Sequence, residues 1–361
     1  MAGNLFTDLY HVKEKMYHGM SAEQEVRLLR EQIARDIKAN AVPEKLHYLL
    51  FKMTNRCNSN CKYCPQAVSR MREEEKFDIP LELVKKTIRE AGGLGATAVA
   101  INGGEPLVRP DVGEIVTEII DSKMVPVLMT NGLLLPKMGE SLGALGLRYV
   151  IISFDSLIPE VYEDQRGCSF EKALAGVEAA LKMKERFADM EIHVSAVLTK
   201  NNQDDFINLV KFMSARGIKV HISPLHNYLN LGGNLDKIER KKIEALVETL
   251  LRMKQDGYLI ASASGFIRHL VSFFREGKLM PDDYQCKVGY TNLFVDALMN
   301  VRPCWDDSMG VVGRLGEDSL TDIWHGANME RVRRKMLACE CRGCWYMCTG
   351  EVTMMIDDML D

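Results

Sequence analysis

Thr54-Asn55-Arg56-Cys57-Asn58-Ser59-Asn60-Cys61-Lys62-Tyr63-Cys64-Pro65 places three cysteines within eight residues, separated by three and then two positions. The stretch follows an apolar run, His47–Met53, that reads as a strand. The cysteines therefore belong at a strand's C-terminal end, where barrel enzymes build their active sites. Three thiolates can wrap one cluster but leave a four-ligand site one short. In a cubane [4Fe–4S] cluster that leaves one iron open to bind something else, which makes a cluster catalytic rather than only electron-carrying. A structural zinc site calls for a fourth ligand close by. His47 is out of register on the strand, and no Cys or His follows Cys64 for more than a hundred residues.

Around this loop the chain alternates short apolar runs with helical periodicity. Further strands are expected at Ala98–Asn102, Pro126–Thr130, Tyr149–Phe154, Ile192–Leu198 and Val220–Pro224. Helices are expected near 80–92, 111–122, 136–145, 170–187 and 203–216. Strands apolar on both faces and joined by helices mark a parallel sheet. Six such units in a row suit an α/β fold of the partial (β/α)6, TIM-like barrel kind better than an open doubly wound sheet. Before the barrel, residues 1–45 read as a helical extension, with Val26, Leu29, Ile33 and Ile37 on one helix face. After it, residues 226–280 read as a helical linker with helices at 237–256 and 264–276. Residues 281–361 read as a small C-terminal cysteine-rich domain, with a hairpin around Leu293–Arg302 and a helix near 319–337. Gly92-Gly93 and Gly95 follow a helix and not a strand, so they read as a helix cap and not a phosphate loop. The charged run Arg70–Lys76 reads as a solvated loop.

The 361 residues carry 46 basic and 50 acidic side chains, a balance that argues against a dedicated nucleic-acid binder. No signal peptide or membrane span is legible, which points to a cytoplasmic, reducing setting. Ten cysteines in that setting imply metal ligation and not disulfides. Beyond the first three, Cys286, Cys304, Cys339, Cys341, Cys344 and Cys348 gather toward the end of the chain. Cys341-x2-Cys344 is a metal-ligand spacing, and four or more cysteines saturate a cluster. Cys168 stands alone.

The loop Cys57-x3-Cys61-x2-Cys64, with Tyr63 before the last cysteine, resembles the signature of the radical S-adenosylmethionine enzymes. Gly103-Gly104-Glu105-Pro106 after the second strand resembles the family's GGE motif, Ser153 and Asp155 end the fourth strand, and Arg166-Gly167 and Thr199-Lys200-Asn201 are also family-like. The resemblance covers residues 46–225. It implies that Cys57, Cys61 and Cys64 hold a [4Fe–4S] cluster whose open iron binds S-adenosylmethionine. It further implies that Tyr63, Gly103, Gly104 and Glu105 contact that cofactor, with Glu105 pairing its ammonium. Ser153 and Asp155 would then hold the ribose, and Arg166 the methionine carboxylate. The text from Leu293 to Trp324 resembles the SPASM/Twitch extension. The shorter Twitch form needs four cysteines and implies one auxiliary [4Fe–4S] cluster on Cys286, Cys304, Cys341 and Cys344, with Cys348 as a substitute ligand and Cys339 a weaker one.

The activity so implied is reductive cleavage of S-adenosylmethionine and hydrogen abstraction from a small-molecule or peptide substrate, with an auxiliary cluster favouring net oxidation. An electron donor such as flavodoxin or ferredoxin is the expected partner. Two other readings stay open: an epimerase or peptide maturase using Cys168 as a hydrogen donor, and a non-catalytic iron–sulfur or zinc scaffold. Only about 45 residues precede the first strand, so no winged leader-peptide domain is expected, which favours a small molecule or a precursor delivered by another protein.

Overall fold

The computed structural model describes residues 5–39, 41–64, 77–187, 189–226, 236–277, 279–281, 284–305, 307–341 and 343–357. The Arg70–Lys76 run lies outside them. Six parallel strands run in sequence order: β1 (Tyr48–Lys52), β2 (Ala98–Asn102), β3 (Val125–Thr130), β4 (Tyr149–Ser153), β5 (Glu191–Leu198) and β6 (Lys219–Pro224). Their connections carry α3 (Leu81–Gly93), α4 (Val112–Asp121), α5 (Leu135–Ala144), α6 (Pro159–Arg166), α7 (Phe170–Arg186) and α8 (Phe206–Ser214). The apolar strand runs are buried on both faces because helices cover the sheet outside and side chains fill it inside. In α4, Val112, Ile115, Val116 and Ile119 form the covering stripe. This is the expected partial barrel.

The N-terminal extension holds two helices, α1 (Leu5–Tyr17) and α2 (Ala22–Ala39). The helical period had indicated only the second. α1 reaches the barrel floor. Its Asp8 Oδ1 meets Lys219 Nζ of β6 at 2.7 Å, and the Tyr17 hydroxyl donates to the carbonyl of Met124 at 2.7 Å. Asp8, Glu191 and His193 converge there closely enough to suggest a cation site, but the Lys219 ammonium, 3.4 Å from Glu191, already supplies the positive charge. His193 is fully buried, and its Nδ1 lies 2.8 Å from His221 Nε2. Burial, against the pull of Glu191 and with His221 and Lys219 adding to it, holds its imidazole down to about 3 from the usual 6.5. The unfolded chain therefore takes up a proton that the folded chain refuses, and stability falls as pH drops from 6.5 toward 3. His193→Gln is expected to flatten the decline of the urea midpoint over that interval. An unchanged slope would assign the acid lability elsewhere.

After β6 come α9 (Arg240–Gln255) and α10 (Ser264–Glu276), then β7 (Asn292–Val295), β8 (Asn300–Arg302), β9 (Gly313–Arg314), α11 (Leu320–His325), α12 (Ala327–Leu337) and α13 (Gly350–Asp357). The single helix expected near 319–337 is two, broken at Gly326, whose extended backbone ends one helix and begins the next. β7 pairs parallel with β1, Tyr48 opposite Asn292 and Phe51 opposite Val295, while β7, β8 and β9 form an antiparallel meander. The hydrogen-bonded sheet thus continues across the sequence boundary at 280, in the order β6-β5-β4-β3-β2-β1-β7-β8-β9. Among the described residues no helix is long and apolar enough to cross a membrane.

Candidate functional site

The loop after β1 is gripped on three sides. Thr54 Oγ1 donates to Asp78 Oδ1 at 2.6 Å and accepts from the Arg56 amide at 3.0 Å, which fixes the loop's exit from the strand. The loop after β2 lies directly on it: the Gly104 amide donates to Thr54 O, and the Glu105 amide to Arg56 O, both at 2.8 Å. A Cβ on Gly104 would stand 2.3 Å from Arg56 O, and one on Gly103 would stand 2.7 Å from Thr54 O. The glycine pair is thus required for backbone-on-backbone packing against the cysteine loop, a cause the spacing alone does not reveal. On the far side, the Lys62 amide donates to Gln165 O at 2.9 Å, and Lys62 pairs with Asp164. Gly167, at φ 59°, lets the end of α6 approach Asn60 O, where a Cβ would come to 2.5 Å.

Glu105 is almost fully buried. Its carboxylate accepts from the Leu107 amide (3.0 Å), Thr130 Oγ1 (2.7 Å) and the Asn131 amide (2.7 Å), tying the GGE turn to the end of β3. Burial outweighs those three donors and pushes the carboxyl up to about 7. An ammonium reaching Glu105 would have to share oxygens already at work. Asn131, which sequence reading passed over, completes the brace. Its Nδ2 donates to Asn58 Oδ1 (2.7 Å) and Ser59 Oγ (3.0 Å) inside the cysteine loop.

Asp155 and Arg166, assigned from the resemblance to opposite ends of the cofactor, hold each other. Arg166 Nε and Nη2 donate to Asp155 Oδ2 and Oδ1 at 2.6 and 2.7 Å. Asp155 also accepts from the Val197 amide (2.8 Å) and from the Tyr63 hydroxyl. Its four lone-pair positions are filled, so a ribose hydroxyl would have to displace a partner. Ser153 is half-buried at the end of β4, opposite Ser195. Arg166 is the last residue of α6, and its guanidinium lies 5.7 Å from the Tyr63 ring centre. In the run after β5 the working residue is Asn202, whose Nδ2 donates to Asp155 O and Val197 O. Asn201 is exposed.

The three thiols face one another electrostatically. Burial pushes Cys57 up to about 12, with Glu105, Cys61 and Cys64 adding to the rise, against the Ser59 amide. Burial likewise pushes Cys61 up to about 11; Arg166 opposes this, while Cys64, Asp155 and Cys168 add to it. Thiols so placed become thiolates only against a bound cation, which is the demand an iron–sulfur cluster meets. Three thiols on one loop, coupled to one another in this way, are a donor set that fits an iron–sulfur cluster. Cys168 is half-buried against the core, with Cys61 and Tyr162 as polar neighbours.

In the second group, burial pushes Cys286 up to about 11, with Cys341 adding to the rise, and Tyr284 is flanked by Cys286, Cys344 and Cys341. Cys344 Sγ lies 2.9 Å from Thr349 Oγ1, and the Cys339 thiol donates to Tyr284 O at 3.1 Å. Cys304 is buried just beyond β8. Cys348, pushed up to about 12 by burial, has Glu351 and the Tyr48 ring of β1 as its electrostatic neighbours. The segment is anchored by Trp345, which stacks on Phe266 of α10 at 4.9 Å and donates its indole N–H to Phe266 O at 3.0 Å.

A family model described as the radical SAM superfamily matches residues 51–230, and one described as SPASM, an iron–sulfur cluster-binding domain, matches residues 286–345. The chain belongs to the radical S-adenosylmethionine superfamily. Its SPASM segment makes it a two-part member, and [4Fe–4S] clusters and S-adenosylmethionine are the cofactors this membership brings. It is 34% identical to a GTP 3′,8-cyclase of Alkaliphilus oremlandii over 170 residues, 46% of this chain and 52% of that protein. The chain thus spans about half the length of that cyclase. It is 25% identical to the AdoMet-dependent heme synthase of Methanosarcina barkeri over 84% of this chain and 93% of that one. In fold it is similar to SuiB of Streptococcus suis, solved with S-adenosylmethionine, at TM-score 0.63 and 18% identity over 87% of this chain and 74% of that one. It is also similar to anSMEcpe with bound AdoMet, at TM-score 0.58 and 17% identity over 82% of this chain and 88% of that one.

Proposed function

We propose that this radical S-adenosylmethionine enzyme abstracts a hydrogen atom from a small-molecule or peptide substrate and carries out a net two-electron oxidation, by dehydrogenation or cross-link formation. When bound, the cluster and S-adenosylmethionine supply an electron and, from it, a 5′-deoxyadenosyl radical strong enough to attack an unactivated carbon. The chain's own residues do the rest. Cys57, Cys61 and Cys64 hold the cluster at the C-terminal end of β1. Gly103, Gly104, Glu105 and Asn131 fix the loop's height above the sheet. Tyr63, Asp155 and Arg166 form its far wall, and Arg166 keeps Nη1 outside the Asp155 pair for a methionine carboxylate. Ser153, half-buried at the end of β4, would take a ribose hydroxyl. The four-part division at residues 45, 225 and 280 belongs to this proposal.

The observation that carries the oxidative reading is the pairing of β7 with β1. It ties the segment bearing Cys286, Cys304, Cys341 and Cys344, with Cys348 in reserve, to the strand that carries the first cysteine loop. An electron acceptor held there would be joined to that strand through the sheet and could take the electron that a substrate radical gives up. A low-potential protein donor of the flavodoxin or ferredoxin kind fits the need for one electron per turnover. The test is direct: anaerobically reconstituted protein, reduced with dithionite and given S-adenosylmethionine, is expected to release methionine and 5′-deoxyadenosine. Iron-free, colourless protein that releases neither would leave the scaffold reading in its place.

A further inference from the structure

Lys52 closes β1, and among the described residues no hydrogen-bond acceptor meets its ammonium. The strand Tyr48-Leu49-Leu50-Phe51-Lys52 is buried along its whole length, the lysine as completely as its apolar neighbours. Among the described residues Nζ has no hydrogen-bond partner. A lone ammonium away from water is costly, so an anion is expected beside it. The Trp305 ring centre lies 5.6 Å from Nζ, and Trp305 packs in turn on Phe294 of β7 at 4.6 Å. The negative groups nearest in effect are Cys64, Asp296 and Cys57. Burial outweighs their pull, bringing the ammonium down to about 8, still charged at neutral pH.

Asp296 is committed elsewhere. Its Oδ1 accepts from the amides of Leu298 and Asn300, both at 2.9 Å. Its Oδ2 accepts from Asn300 Nδ2 at 3.0 Å and Arg302 Nε at 3.3 Å. That carboxylate holds the β7–β8 turn and has no lone pair left for Lys52. Among the described residues, the other groups acting on Nζ are Cys64 and Cys57, whose sulfurs become anions when a cluster binds. Because the side chain has no exposed surface, no room is left at Nζ for a carboxylate or phosphate of a substrate.

We propose that Lys52 is the sealed counter-cation of the iron–sulfur cluster held by Cys57, Cys61 and Cys64, and that its charge raises the potential at which that cluster accepts its electron. The proposal rests on the assignment of that loop as the cluster site. A fixed positive charge in a dry interior favours the more negative, reduced state, and water cannot screen it. Lys52 is thus a positioning residue for charge. Trp305, one residue beyond Cys304, holds it from the side of the second cysteine group.

The test is a redox titration of the anaerobic holoenzyme followed by electron paramagnetic resonance, in which the catalytic cluster is recognised by the change of its signal on adding S-adenosylmethionine. Lys52→Met, matched in length but uncharged, is expected to cut the reduced-to-oxidised ratio at fixed potential at least tenfold, a shift of about 59 mV to more negative values for one electron. Lys52→Arg, which keeps the charge, should stay within threefold of the parent. Should the methionine variant lose its iron, Lys52→Gln is judged by the same criterion. A neutral variant with full iron content and an unmoved potential overturns the proposal, whatever happens to its substrate affinity. Wild-type protein with no cluster signal that responds to S-adenosylmethionine would instead overturn the assignment of the loop.

Discussion

Alanine in place of Cys57, Cys61 or Cys64 is expected to drive 5′-deoxyadenosine formation below detection. The effect is all-or-none because the loop offers three sulfurs and the nearby alternative cannot replace one. Cys168 neighbours Cys61, but it follows Gly167, which is pinned against Asn60 O and belongs to the end of α6. To ligate in place of a lost sulfur it would have to leave the core against which it packs. Loss of the cluster also leaves Cys57 and Cys61, where present, pushed up to about 12 and about 11 by burial, without a cation to ionise them. The measurement is chromatographic detection of 5′-deoxyadenosine under dithionite, with iron content determined on the same sample. Undiminished product from a triple Cys→Ala protein would sink the function proposed above.

Asp155→Ala is expected to cost about 3–5 kcal/mol of folding stability, because it strips a buried guanidinium of its bidentate partner. Asp155 is fully buried and the Arg166 side chain 10% exposed, so little water can replace the lost carboxylate. The damage should reach the cysteine loop, since Tyr63 and the Val197 amide lose the same acceptor. Asp155→Asn keeps one acceptor oxygen and should fall between. The double variant Asp155→Ala with Arg166→Met removes both charges and should recover part of the loss. The check is the denaturant midpoint of each protein, together with iron retention. Equal stability of Asp155→Ala and the parent would mean that the pair contributes nothing to holding α6 against the loop.

Much of this molecule is legible in its residues because the informative patterns are local. Cys57-x3-Cys61-x2-Cys64 fits in one turn of chain, and each barrel strand is a short apolar run whose ends could be read to within a residue or two. What escaped is long-range. Nothing near Asp155 marks Arg166 as its partner, and nothing near Asn131 points back to Asn58. The amphipathic pattern of α1 is diluted by Asp8, whose partner Lys219 opens β6 at the other end of the barrel. Lys52 did leave a trace, as a charged residue closing an otherwise apolar strand, but its isolation is visible only when Asp296 is seen to be spoken for. The helix break at Gly326 was hidden because flanking residues on both sides carry the same periodicity.

The pairing of β7 with β1 also has a temporal side. During synthesis β1 emerges early and can pair with β2 as soon as Ala98–Asn102 follows. Its other edge must wait for Asn292–Val295. At ribosomal speeds the delay is on the order of tens of seconds. Through that interval Tyr48–Lys52 presents an apolar, unpaired edge of the kind that recruits other nascent chains. The same strand leads into the cysteine loop, so the nascent chain carries an aggregation hazard and three reactive thiols side by side. Yield of intact protein should therefore depend on how crowded and how oxidising the cell is while residues 53 to 291 are being made.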